Sequence, residues 1–191
     1  MKRGKPLSFD RNEALKRAMQ LFWHKGYEPT GMTELLEHMG IPRQSFYNTF
    51  GSKEEILFEA IALYGITLHS MLRETIERGA TPFEKIDCVF EFWAQENPYG
   101  CFVGNCVAEF GVTRDRVAEV MDKQLLAIRG ILTPLFEDAI ERGYLPAERN
   151  PVIAARTMLT YGQGLALMGK TTIDRTELMG MIEIMKGSLK Q

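Results

Sequence analysis

Along nearly the whole chain, apolar residues recur three and four positions apart, in stretches opened by Ser, Thr, Asp, Asn or Pro and closed by Gly. The strict alternation that a strand requires is almost absent, so the pattern predicts an all-α fold. A first helix is expected over residues 10–25, with Ala14, Leu15, Ala18, Leu21 and Phe22 on one stripe and Gly26 just past its end. A short second helix over residues 32–39 stops at Gly40, and a short third over 43–49 follows Ile41 and Pro42. Two short helices joined by a tight glycine-containing turn, with the first helix as a third wall, form a helix-turn-helix unit.

The fourth helix opens at Ser52, with Glu55 three residues on as in a capping box, and its apolar stripe of Leu57, Ala60, Ile61, Tyr64, Leu68, Met71 and Leu72 carries it to about residue 78. At 1.5 Å per residue some 26 residues span roughly 39 Å, enough to join a head to a body. Thr81, Pro82 and Glu84 form a second capping-box signature that opens a helix reaching about residue 95. Pro98 and Gly100 break the chain. Helices are then expected over 103–110, 114–142, 151–168 and 172–190. The division that results is a helix-turn-helix head, residues 1–53, and a helical body, residues 54–191.

Charge separates these two parts. The net charge of −2 hides nine Lys and Arg against five Asp and Glu in residues 1–53, and fourteen against twenty in the remainder. A basic head on an acidic body points to a polyanion partner for the head and a different task for the body. Three cysteines are too few for a secreted disulfide framework. The basic start is followed by Asp10, Arg11 and Glu13 instead of an apolar core, and no run of 18 apolar residues occurs, so neither a secretory signal nor a membrane span is expected. The expected location is cytoplasmic.

The second short helix of such a unit enters the DNA major groove with its N-terminal residues toward the base edges. Here those residues are Arg43, Gln44 and Ser45. Arg pairs with guanine through two hydrogen bonds, Gln pairs likewise with adenine, and Ser serves either. Thr30, Thr33, Tyr47, Asn48 and Lys53 are the expected phosphate contacts, Lys53 standing in the first turn of its helix. Phe46 and Phe50 should pack inward. Arg3 and Lys5 in the N-terminal arm are placed to follow a neighbouring groove of double-stranded DNA. The bland alternatives are a solvated polar turn and a solubilising tail.

In this stretch the sequence resembles the TetR family of transcriptional regulators. Gly26 and Tyr27 end the first helix, Thr30 follows, Gly40 makes the turn, Tyr47 lies in the recognition helix and Phe50 after it, and Lys53 opens the fourth helix, all in the family's register. Gly31 stands where a Ser is common and Pro42 where Ser or Thr is usual. The resemblance implies a homodimeric repressor whose head leaves its DNA operator when the body binds a small-molecule effector. A second resemblance lies at Gly100, Cys101, Gly104, Asn105 and Glu109, a pattern of TetR-like regulators that respond to reactive electrophiles and small carboxylates.

Within the body, an effector pocket is expected among Tyr64, Leu68, Phe90, Trp93, Cys101, Phe102 and Tyr161. Cys101 begins a helix, where the dipole favours a thiolate, and is the candidate reactive thiol, with an inert buried cysteine as the alternative. The fourth helix is expected to be the sole element running from pocket to head. Dimer contacts are expected on the helices 114–142 and 151–168, through Ile128, Leu132, Leu135, Met158 and Tyr161. His24, His38 and His69 are scattered, so no metal site and no cofactor are expected. Residues 164–171 match the spacing of a phosphate-binding loop, but they follow a helical stretch instead of a strand. A nucleotide-dependent enzyme built on that stretch and a helical protein-binding adaptor are therefore the rival readings.

Overall fold

A computed structural model describes residues 9–95, 98–110, 115–171 and 174–190. Among these residues there are nine helices and no strand: α1 (Arg11–Lys25), α2 (Met32–Met39), α3 (Arg43–Phe50), α4 (Lys53–Ile76), α5 (Pro82–Trp93), α6 (Phe102–Phe110), α7 (Asp115–Glu141), α8 (Pro151–Met168) and α9 (Arg175–Lys190). The arm residues Arg3 and Lys5 lie outside the described residues.

Local chemistry sets the helix ends. The Asp10 carboxylate accepts from the amides of Asn12 and Glu13, and Asn150 does the same for Val152 and Ile153 ahead of Pro151. Gly40 ends α2 at φ 70°, a left-handed conformation that glycine adopts without steric cost, and so turns the chain into α3. The Thr81–Glu84 capping box is complete. The one at Ser52 is half formed: its hydroxyl accepts from the Glu55 amide, but the Glu55 carboxylate accepts instead from both terminal nitrogens of Arg116, at 2.5 and 3.0 Å. A two-point, charge-assisted bond to a guanidinium outcompetes a single bond to a backbone amide.

Two apolar clusters hold the molecule. One gathers α1, α2, α3 and the first half of α4 around Phe22, Leu35, Phe46 and Ile61, and continues into α6 through Phe102, Val103 and Cys106 and into α7 through Val117 and Met121. The other joins the end of α4 with α5, α7, α8 and α9 around Phe90, Leu132, Phe136 and Met158. Each fully buried Phe or Leu contributes about 1.5–3 kcal/mol relative to exposure. By length and composition α4 would suffice to cross a membrane; here it packs against α1, α3, α5, α6 and α7. Inside α7, Pro134 removes one amide from the ladder opposite Gly130, which has open space beside it.

The expected dimer stripe is corrected by this packing. Ile128, Leu132, Leu135 and Met158 face the chain's own core, each at most 6% exposed. The outward apolar residues of the last helices are Val152, Ile153 and Leu167 on α8 and Ile184 on α9.

Candidate functional site

The outer face of α3 is built by subtraction. Phe46 and Phe50 turn into the core and pack against one another with their rings tilted, 5.7 Å between centroids, which leaves Arg43, Gln44, Tyr47 and Asn48 exposed at i, i+3 and i+4 spacing, with Ser45 half-buried beside them. Side chains on this face are paired along the helix. The Gln44 amide nitrogen donates to Asn48 Oδ1 at 3.0 Å, and the Arg43 guanidinium lies 5.8 Å from the Tyr47 ring centroid. No side chain caps α3, whose N-cap is Pro42.

The other residues expected at the phosphates differ in their surroundings. Thr33 is exposed at the start of α2. Thr30 is 1% exposed, and its hydroxyl donates to the Gly26 carbonyl at 2.6 Å. Lys53 is half-buried; its Nζ donates to the Tyr27 carbonyl at 2.6 Å and sits 4.0 Å from the Tyr27 ring centroid. Sequence signals place a threonine and a lysine at these points without saying how much of each side chain the turn itself uses.

Behind the head, between α1, α4, α5, α8 and α9, lies a cavity of about 300 Å³ with a mainly apolar lining. Of the residues expected at an effector pocket, Tyr64, Leu68, Trp93 and Cys101 line it. Phe90 and Phe102 do not: both are packed into the two cores, at 0% and 1% exposure. On α5 the inward stripe is Ile86, Val89 and Phe90, so the cavity receives the adjacent Phe92 and Trp93 instead. Tyr161 lines a separate groove with Pro146, Asn150 and Ser188. Sequence reading missed Met19, Trp23, Met71 and Gln163. Trp23 is the informative omission, since it belongs to α1 of the head and brings the head into the cavity wall.

Cys101 stands at the junction of this cavity with a more polar groove of about 510 Å³ that includes His24, Lys25, Asn105, Glu109 and Lys170. Its Sγ accepts from the Gly104 amide at 3.5 Å and lies 3.6 Å from Gln163 Nε2. Burial, then the adjacent Cys101 sulfur, raises the Tyr64 phenol above its ordinary range and keeps it protonated. Burial, then Glu109 and Cys101, likewise raises the Cys106 thiol, which is 2% exposed. Among the described residues no three His, Cys, Asp or Glu side chains gather as a metal site. Residues 164–168 of the phosphate-loop spacing are the end of α8, followed by Gly169 as its C-cap. A phosphate loop needs unpaired amides between a strand and a following helix; here the stretch is the last turns of a helix and its C-terminal turn.

Comparison with known proteins bears on the same two regions. A family model described as bacterial regulatory proteins, tetR family, matches residues 14–60, and one described as tetracyclin repressor-like, C-terminal domain, matches residues 82–185. The chain belongs to the TetR family. Its relatives include the HTH-type transcriptional repressor ComR of Escherichia coli (strain K12), 35% identical over 187 residues covering 93% of this chain and 87% of that protein. Another is the uncharacterized HTH-type transcriptional regulator YezE of Bacillus subtilis (strain 168), 25% identical over 95% of this chain and 96% of that protein. Among solved structures, a cysteine mutant of the TetR family regulator CifR in complex with a 26-base-pair operator superposes with a TM-score of 0.83. It is 27% identical, covering 97% of this chain and 100% of that one. As a TetR-family member the chain is a DNA-binding transcriptional regulator and not an enzyme.

Proposed function

We propose that this regulator is a homodimeric repressor that holds a near-palindromic operator and releases it when a small effector fills the cavity behind the head. The observation that carries this reading is the cavity wall itself, in which Trp23 of the head lies beside Tyr64, Trp93 and Cys101 of the body. A ligand shifts an equilibrium only by binding one arrangement better than the other, and a wall shared by head and body makes its fit depend on how the two are arranged. Arg43, Gln44 and Ser45 read bases, with Thr33, Tyr47, Asn48 and Lys53 on phosphates and the buried Thr30 supporting the turn behind them. The head is residues 1–53 and the body 54–191, in the cytoplasm.

The volume and lining favour a small, largely apolar effector with few polar anchors. The partly buried Cys101 thiol at the cavity wall favours an electrophile. Selection of bound duplexes from a random pool, followed by salt titration of the winners, tests DNA binding and yields the operator; a pool with no enrichment sinks the reading. Iodoacetamide treatment then tests the effector class. Release from that operator by the wild type, and none by Cys101→Ser, supports a covalent signal, whereas equal release by both makes Cys101 structural.

A further inference from the structure

The helix α6, nine residues long, starts directly after Cys101 of the cavity wall and ends against the DNA-reading head. At the cavity end, Cys101 lines both the cavity and the polar groove, and Gly104 leaves just enough room for the Gln163 side chain. At the far end Glu109 reaches the turn between α1 and α2. Its Oε1 accepts from the Glu28 amide at 2.7 Å and its Oε2 from the Tyr27 amide at 3.1 Å. Gly26 opens this turn at φ 95°, a backbone conformation that residues with a side chain rarely adopt. The neighbouring Phe110 ring meets Tyr27 edge-on, 5.4 Å between centroids.

A carboxylate suits this position because it has only acceptors, one for each of two adjacent amides, and its charge strengthens both bonds. The turn it holds also carries the Tyr27 carbonyl that accepts from Lys53. The position of α2 and α3 relative to α4 therefore depends on α6. This adds a route to the one expected from the sequence, in which α4 alone joined pocket to head. Phe102, Val103 and Cys106 in its first two turns and Phe110 at its end are all buried in the core that α6 shares with the head, so a displacement of α6 is felt there along its whole length.

We propose that Glu109 is the positioning residue through which occupation of the cavity moves the DNA-reading head, by carrying displacement of α6 into the α1–α2 turn. The proposal rests on the effector reading of the cavity, and its test separates the two. Cys101→Met lengthens the side chain at the junction and stands in for an occupant. Operator affinity and amide hydrogen exchange are measured on the full chain with Cys101→Met, Glu109→Ala, both, and Glu109→Gln, the α3 amides reporting that the head stays folded.

Glu109→Ala should speed exchange at the Tyr27 and Glu28 amides by about tenfold or more with α3 unchanged, and Glu109→Gln, which keeps one acceptor, by less. Cys101→Met should speed the same two amides and weaken operator binding roughly tenfold while Glu109 is present, and by less than about twofold once Glu109 is Ala. Unchanged exchange at these amides in either single variant, or an equal loss of affinity with and without Glu109, overturns the proposal. If Cys101→Met moves the amides but leaves affinity unchanged, the coupling stands and the effector-release reading falls.

Discussion

If α3 reads bases as proposed, what Gln44 can offer them is set by how it is held. Its amide nitrogen donates to Asn48, so its oxygen is left to accept and its second N–H to donate outward, which is the pairing that adenine presents in the major groove. Gln44→Ala should cost about 1–3 kcal/mol at one operator position and relax the preference there. Asn48→Ala frees the amide to turn over and should relax the same position more mildly, by about 1 kcal/mol, on top of a uniform loss from its phosphate contact. Both are checked by titrating single-base variants of the selected operator, and a uniform loss over all of them would remove Gln44 from base reading. Lys53→Ala should weaken all duplexes alike, flatten the salt dependence and also lower the melting temperature, since Lys53 ties α4 to the Tyr27 turn. The exposed residues of α3 were legible in sequence because helical spacing with Phe46 and Phe50 inward fixes the opposite face. The burial of Thr30 was not, because a hydroxyl bonded to Gly26 and one on a phosphate leave the same letter in the chain.

Between helices, small residues and one histidine set the tolerances. Gly162 on α8 lies where any Cβ would press into the Trp93 ring, so Gly162→Ala should destabilise the fold by about 1–3 kcal/mol and drive the indole toward the cavity. Gly65→Ala on α4 meets only the end of the Gln124 side chain, which can swing away, and should cost less. Paired thermal unfolding of the two variants checks this order. His69 on the same helix is half-buried, and burial, then the Arg73 guanidinium, lowers its imidazole from the usual 6.5. With the folded value below the unfolded one, the unfolded chain binds the extra proton between them. The contribution is complete above about pH 6.5 and is lost as pH falls through that interval, so His69→Gln should flatten the decline in melting temperature there while leaving it unchanged near pH 7.5. Sequence placed an aromatic α5 at the cavity but chose Phe90 over Phe92, because periodicity identifies the buried stripe of a helix, and cavity walls lie at that stripe's edge.

For the molecule as a whole, the same ambiguity explains the dimer face. Ile128, Leu132 and Leu135 follow the spacing of a buried stripe, and spacing cannot tell whether the chain itself or a second copy does the burying; here the chain does. The most exposed large apolar residues of the last two helices are Ile153 and Leu167 on α8, at 64% and 58%, and Ile184 on α9, at 76%, with Gly164, Gly180 and Gly187 opening onto free space. Large apolar residues beside glycines let two helix pairs approach closely, which favours α8 and α9 as the interface of the proposed dimer. Ile184→Glu places a charge in that surface without touching either core, so it should give a folded monomer by sedimentation at micromolar concentration, with the wild-type helical spectrum. A dimer brings its second head to the second half-site at a high effective concentration. The monomer should therefore bind the full near-palindrome on the order of a hundredfold more weakly, yet bind a single half-site as the wild type does. A variant that stays dimeric would place the interface elsewhere, and one that becomes monomeric with undiminished affinity for the full site would show that the two heads act independently.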